Sequence, residues 1–423
     1  MTEEFQAIIV GSDISAYAFA RELNDEYGIK PIIFSRFSQT VLIDSQIITP
    51  YQADTSTDEK TITALLELGE KLKSEAPLQK RFLLANSDNL IVLLAENRQK
   101  LEAYYIVPTP ALDAIAKVAD KQSFETLATA VGMKVPGSFY VHFSEVTKEN
   151  VNQFLPSSDF VYPLIAKPAN SSEYDLLRLN HGFKKVYVIT DEKELLDLWH
   201  ALYDAGFKDK FIVQKFVKGA ETALFSITTY VDSKGDVTLL SSAHVLLQEH
   251  QPSALGIPCA MITTSYPILF EQVQRFFAAL KAQGFNYFGF ANFDVKRDEE
   301  TGEFYFFEVN PRIGRNHFYV TGAGANPMKY LVSDIIEHHP LTRMVTSKKT
   351  LYTIIPKFLL LRYIDDPALK KEINALYRQK KVINPTLNKN DNRLKRRIYQ
   401  YLSMLKQVKK FKTYYPKLTK SGF

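Results

Sequence analysis

Cysteine is nearly absent: Cys259 stands alone in 423 residues, so no internal disulfide can form and a disulfide-built secreted scaffold is excluded. No apolar run approaches the twenty or so residues that span a bilayer. The longest, such as Leu90-Ile91-Val92-Leu93-Leu94-Ala95, suit buried elements. The opening Met1-Thr2-Glu3-Glu4 is acidic where a secretory leader would be basic and then apolar. Gly11 lacks the G-x-G-x-x-G sequel of a dinucleotide site, and no catalytic-triad signature is present. His244, His317 and the pair His338-His339 lack metal-ligand spacing. The single thiol, after Pro258, reads as a buried bystander. With 46% hydrophobic and 23% charged residues the chain is also no candidate for disorder. These absences lead to the expectation of a soluble, cytoplasmic protein of several packed units.

The net charge of +5 conceals a split. From Lys389 to Phe423 there are eleven Lys/Arg and one acid, Asp391, whereas the preceding 388 residues hold 41 bases and 46 acids. In this tail Leu394, Ile398, Tyr401, Leu402, Leu405 and Val408 recur at three- and four-residue steps among Arg393, Arg396, Arg397, Lys406, Lys409 and Lys410. The spacing predicts a basic amphipathic helix, which can lie on an anionic membrane face or grip a phosphorylated ligand. The alternative is that its apolar stripe docks on the body. A nucleic-acid partner is not expected, because the acidic body continues no basic surface.

The first hundred residues alternate strand and helix: a strand Phe5–Val10, a helix from about Ala16 to Tyr27, strands at 31–34 and 81–85, then an apolar helix. This predicts a parallel sheet wrapped by helices, an α/β unit. Ligands on such sheets sit beyond the carboxyl ends of strands, which points at Gly11-Ser12-Asp13 and Asn86-Ser87-Asp88. Helix capping by Ser12, Asp13, Ser87 and Asp88 is the competing explanation. Beyond Pro108 an α+β body follows. A helix carries Asp120-Lys121, and strands are expected near Ser138–Val141, at Val161–Pro168 ending in Lys167, and at Val186–Ile189. Residues 169–185 read as a polar loop. Asp191 and Glu194 form a capping box for a helix to about Ala205. Longer strands are expected at Phe211–Val217, Thr222–Val231, Val237–Leu247, Tyr287–Val295 and Glu303–Val309, with a helix near Phe270–Gln283.

The most informative piece is Phe290-Ala291-Asn292-Phe293-Asp294 followed by Glu308-Val309-Asn310-Pro311-Arg312. Side chains alternate along a strand, so Glu308 and Asn310 share a face. If the strand ending at Asp294 pairs with that of Glu308, three oxygen-bearing side chains converge, the hard donors that Mg²⁺ takes together with phosphate. Two solvated acids on neighbouring strands are the plainer alternative. Lys167 and Lys121 lie where either can neutralise phosphate oxygens. The run Phe211–Glu221 reads as strand, turn and acid, able to offer backbone groups to an adenine and Glu221 to ribose hydroxyls. Arg315 lies on a glycine-bearing loop after the second strand; it can clamp a substrate carboxylate bidentately, or it is a surface arginine on a turn.

This ordered set resembles the ATP-grasp superfamily of carboxylate–amine ligases over roughly residues 110–330. The resemblance implies a Rossmann-like unit before a two-lobed ATP-grasp fold, with units at 1–112, 113–216, 217–345 and a basic helical extension at 346–423. It implies that Lys121 and Lys167 bind phosphates of ATP, that Gln214 and Val217 contact adenine, and that Glu221 holds the ribose. It further implies that Asp294, Glu308 and Asn310 hold Mg²⁺, with two ions expected, and that Arg312 stabilises the transferring phosphoryl group. Two departures stand out. Gln214 replaces the acid often found there, and Ala169-Asn170-Ser171-Ser172-Glu173-Tyr174 has no glycine where a phosphate loop, here Ser171 and Ser172, is often glycine-rich. The whole-length layout looks like bacterial D-aspartate ligases. That implies an amino acid and a peptidoglycan precursor as partners, at the cytoplasmic side of the membrane. Another amino-acid ligase, a non-catalytic ATP-binding regulator and a membrane-surface adaptor are the competing functions.

Overall fold

A computed structural model of the chain describes residues 4–169 and 171–419. The strands β1 (Phe5–Val10), β2 (Ile32–Ser35), β3 (Thr49–Gln52) and β4 (Lys80–Leu84) form a parallel sheet in the order β3-β2-β1-β4. Ala7 and Ile9 enter one core and Ile8 and Val10 another, which is why the run is apolar on both faces. Asp13 accepts the backbone N–H groups of Ser15 and Ala16 at 3.0 and 3.1 Å and so starts the helix Ile14–Tyr27. Ser87 does the same for Asp88–Glu96 through the N–H of Leu90 at 3.3 Å. Both turns therefore cap helices, and both lie at the carboxyl ends of the adjacent strands β1 and β4.

A second, antiparallel sheet has the order β5-β8-β6-β7, with β5 at Ser138–His142, β6 at Leu164–Pro168, β7 at Tyr187–Ile189 and β8 at Lys210–Lys215. Phe143, Trp199, Phe207 and Phe211 make its aromatic core. Asp191 caps the helix Glu192–Asp204 by accepting the N–H of Glu194 at 2.9 Å, as the capping box predicts. Residues 169–185 depart from the expected loop, because Ser171–His181 form a helix. The stretch holds no glycine or proline, Tyr174 is buried against Phe183, Phe207 and Phe211, and Gly182 at φ +72° follows the last turn. The missing glycine is what lets a helix form there.

The third sheet is the largest and mostly antiparallel. Its strands are β9 (Leu224–Val231), β10 (Val237–Gln248), β11 (Pro258–Thr264), β12 (Gly289–Arg297), β13 (Phe304–Asn310), β14 (Met344–Val345), β15 (Leu351–Thr353) and β16 (Val382–Ile383). They run in the order β13-β12-β9-β10-β11-β15-β16, with β14 on β10. Two strands begin later than expected. Glu221–Ala223 make a 3-10 turn before β9, and the chain enters β12 through Gly289 at φ +116°, where a Cβ would press on the Pro108 carbonyl at 3.2 Å. Sequence reasoning does not find β11.

The tail forms the helix Leu394–Tyr414, turned opposite to the docking alternative. Leu394, Ile398, Tyr401, Leu402 and Leu405 stand in solvent, whereas Arg396, Gln400 and Phe411 are buried. Arg396 is drawn inward by Asp391 at 2.9 Å and by the carbonyls of Val41 and Ile43, and its guanidinium covers the Tyr17 ring at 4.3 Å. Asp391 also accepts the Tyr17 and Ser45 hydroxyls at 2.8 and 2.6 Å. A buried ion pair that gathers such hydrogen bonds can decide which face of a helix turns inward. At the other end Phe411 and Tyr415 enter the core around Leu360 and Tyr363. Among the described residues no helix is long and apolar enough to cross a membrane.

Candidate active site

A cavity of about 280 Å³ opens between the small sheet and the large one. Lys167, Gln214, Val217, Glu221, Asp294 and Glu308 all line it. Ile165, Val186, Leu224, Val245 and Phe307 supply apolar wall, the mixture that suits a flat base held by a few polar groups. Gln214 is buried, and its amide donates to Ser138 at 2.9 Å and to Glu125 at 3.4 Å, which fixes its orientation. Burial raises the Glu125 carboxyl above the usual range. Burial also lowers the Lys167 ammonium to about 7, with the neighbouring Lys121 charge acting in the same direction. Glu221 is almost enclosed, and its Oε2 accepts the backbone N–H of Gln248 at 3.0 Å. The Ser171 and Ser172 backbones are helical; their side chains lie outside the described set.

At the opposite end of the cavity β12 and β13 pair antiparallel, with Asp294 across from Glu308 and Asn292 across from Asn310. The expected convergence is thus present. Asn310 donates to Asp294 at 3.4 Å, and Lys121 Nζ lies 4.0 Å from Glu308. Burial and the adjacent Glu308 push the Asp294 carboxyl up to about 7. Burial opposes the Glu308 charge too, but Lys121, Lys167 and Arg312 outweigh it and hold that carboxyl below its usual value. Two carboxylates and an amide crowded together, one of them short of compensating charge, form a donor set that fits a hard divalent cation. Asn292 belongs to this cluster and went unassigned in the sequence. It donates to Asp294 at 3.2 Å while accepting Ser226 at 2.9 Å. The signal was available, since Asn292 and Asp294 are two apart on one strand and share a face. Lys296, another lining residue that sequence reasoning missed, is buried and has its ammonium 5.4 Å from the Phe216 ring centre.

The first sheet reaches this end through two ion pairs. Arg312 donates to Asp88 at 3.0 Å and to Asn310 at 3.3 Å, and Arg315 donates to Asp13 at 2.9 Å. Arg315 is therefore not a free surface arginine. Ser12 is half-buried beside Asp13. Behind the arginines, Ser15, His317 and Glu22 form a fully buried line, with contacts of 3.2 and 3.1 Å to the two ring nitrogens. Sealed from solvent, this line ties the helix Ile14–Tyr27 to the loop. Cys259 is likewise buried, with burial raising its thiol.

The family model described as the carbamoyl-phosphate synthase L chain, ATP binding domain, matches residues 120–324, the span that contains both ends of the cavity. Residues 120–324, just under half of the chain, form an ATP-binding domain of the ATP-grasp family, to which carboxylate–amine ligases belong. Within that family the chain is similar to a D-aspartate ligase of Enterococcus faecium (strain Aus0004). The two are 26% identical over 425 residues, covering 98% of this chain and 97% of that one. Among solved structures the ATP-grasp fold recurs in the biotin carboxylase domain of the Hydrogenobacter thermophilus 2-oxoglutarate carboxylase, solved with MgADP and bicarbonate. The TM-score is 0.58 at 16% identity, over 82% of this chain and 74% of that one. It recurs in an L-amino acid ligase from Bacillus licheniformis, with a TM-score of 0.52 at 16% identity over 81% and 76% of the two chains.

Proposed function

We propose that this chain spends ATP to join the β-carboxylate of D-aspartate to the lysine ε-amine of a peptidoglycan precursor. The carrying observation is a single cavity with Glu221 and an apolar wall at one end and the Asp294, Glu308 and Asn310 cluster at the other. Arg312 connects that cluster to the first sheet. The end-to-end similarity to a D-aspartate ligase supports the choice of substrate.

ATP supplies the phosphoryl group that turns an inert carboxylate into an acyl phosphate open to attack by an amine, and Mg²⁺ spreads the phosphate charge. Asp294, Glu308 and Asn310 would hold the metal, and Lys121 and Lys167 would neutralise phosphate oxygens. Gln214 and Val217 would meet the base and Glu221 the ribose. Arg312 would meet charge developing at the transferring group. Arg315, with the Ser12-Asp13 and Ser87-Asp88 turns, would receive the amino acid. Positioning and charge neutralisation suffice for such a reaction, and no protein nucleophile is needed.

The test is release of ADP and phosphate with D-aspartate, L-aspartate or D-alanine, each with and without a lysine-containing UDP-linked pentapeptide. Release and product formation that need D-aspartate and the peptide together are expected. Equal stimulation by D-alanine or L-aspartate would make this a ligase of another acid, and nucleotide binding without turnover would make it a regulator.

The exposed face of the C-terminal helix favours a second element of this reading, contact with an anionic membrane surface. No acid occurs from Leu394 to Tyr414, and Lys395, Arg397, Lys406 and Lys409 are exposed beside the apolar stripe. A second copy of so basic a face would repel the first, whereas an anionic bilayer complements it.

A further inference from the structure

Glu221 has neighbours that the cavity does not see. Its Oε1 lies 2.5 Å from His250 Nε2, and both side chains are more than nine-tenths enclosed. Neither atom has a hydrogen-bond partner among the described residues, so this close carboxylate–imidazole contact is the ion-pair contact that Glu221 Oε1 makes. The His250 ring in turn lies flat on Tyr415, with centroids 3.6 Å apart and planes 4° apart. Tyr415 is fixed from its far side. It stacks on Tyr363 at 5.4 Å, and its carbonyl accepts the Tyr363 hydroxyl at 2.6 Å. One residue before His250, Glu249 lies 3.6 Å from Lys410 of the C-terminal helix. Glu221 lines the cavity, while His250 and Tyr415 stand behind it.

We infer that His250 and Tyr415 are positioning residues for nucleotide recognition, holding Glu221 so that its carboxylate reads the ribose hydroxyls. This rests on the nucleotide reading of the cavity. Without His250, Glu221 would keep one anchor, the Gln248 N–H, and could rotate about its side-chain bonds. With it, the Gln248 N–H binds one oxygen and the imidazole abuts the other, and a lone pair on each remains to accept a hydroxyl. The proton on His250 Nε2 must face Glu221 for this to work, and the Tyr415 ring sets the imidazole plane that achieves it. The end of the C-terminal extension thereby takes part in ATP recognition without touching ATP.

The experiment measures direct binding of Mg·ATP, Mg·2′-deoxy-ATP and Mg·3′-deoxy-ATP by calorimetry, with steady-state kinetics alongside. The wild-type chain should bind ATP about tenfold or more tighter than the deoxy analogues, the usual penalty when a hydroxyl-reading group is left unpaired. In His250→Ala and Tyr415→Ala that ratio should fall to within about twofold of unity. ATP binding should weaken, deoxy-ATP binding should hardly change, and KM for ATP should rise with kcat nearly constant. Tyr415→Phe keeps the stack and should keep the ratio; His250→Gln keeps a donor and should restore part of it. Unchanged discrimination in folded His250→Ala overturns the proposal, as does an equal loss of ATP and deoxy-ATP binding in Tyr415→Ala. If the alanine variants do not fold, discrimination lost in Tyr415→Phe, or wholly absent in folded His250→Gln, does the same. A wild type that binds all three nucleotides alike removes the role of Glu221 but spares the nucleotide reading. A wild type that binds none removes both.

Discussion

Arg315 on the loop after β13 and Asp13 at the end of β1 meet at 2.9 Å, so the turn of the first sheet and the loop beyond the metal-type cluster form one ion-paired seam. If the seam receives the amino-acid substrate, Arg315→Ala loses a charge-assisted hydrogen bond worth about 2 kcal/mol. KM for the amino acid should rise roughly thirtyfold, with KM for ATP little changed. Initial-rate kinetics with each substrate varied in turn checks this, and equal movement of both constants would remove Arg315 from the substrate side.

Asp294 and Glu308 lie opposite each other on paired strands. Asp294→Asn should cut turnover at saturating Mg²⁺ by about a hundredfold or more, through loss of metal-borne charge stabilisation. Removing one of two like charges should leave the melting temperature equal or higher. A variant with wild-type turnover would refute the metal assignment, and scanning fluorimetry separates lost chemistry from lost structure.

Lys167 titrates near 7 in the free chain because burial and Lys121 disfavour its charge. Polyphosphate should restore the ammonium, so ATP binding at pH 8 should take up protons, and its affinity should weaken as pH climbs from about 7 to 9. Calorimetry in buffers of different ionisation heat reads the proton uptake directly. Lys167→Arg, permanently charged, should flatten the pH dependence.

The membrane reading of the C-terminal helix predicts sedimentation with vesicles containing anionic phosphatidylglycerol but not with pure phosphatidylcholine, and release by salt. Ile398→Ser with Leu402→Ser should abolish binding while leaving turnover of soluble substrates intact, since both side chains are exposed. Binding that survives the double change would place the contact elsewhere.

Glu22 and His317 are fully buried partners at 3.1 Å, and Glu22 also accepts the Thr321 hydroxyl at 2.7 Å. Glu22→Ala should cost about 3 kcal/mol in chemical denaturation, because it strands the imidazole and the hydroxyl. Lys329→Ala, removing an exposed pair with Glu26, should cost under about 1 kcal/mol.

Where one strand face or one cap controls an outcome, the sequence was readable. The Asp294–Glu308–Asn310 convergence follows from period-two alternation, and Asp13, Ser87 and Asp191 cap helices as their residue types dictate. Long-range partners were not readable. Nothing local tells that Glu125 and Ser138 hold Gln214, or that His250 faces Glu221. The helix over Ser171–His181 was misread because polar residues outnumber apolar ones there, while its buried anchor, Tyr174, is a single position. For the tail helix the spacing leaves two orientations open, because hydrophobic periodicity alone does not show that Asp391 pulls Arg396 inside and turns the apolar stripe outward.

That tail helix has 21 residues and so runs about 31 Å. One end is pinned to Tyr17 of the first helix and to Val41 and Ile43 in the turn between β2 and β3, and the other to Tyr363 and His250 beside the largest sheet. A stiff rod bolted at both ends sets the gap between the two bodies it joins, and neither can drift without unseating a bolt.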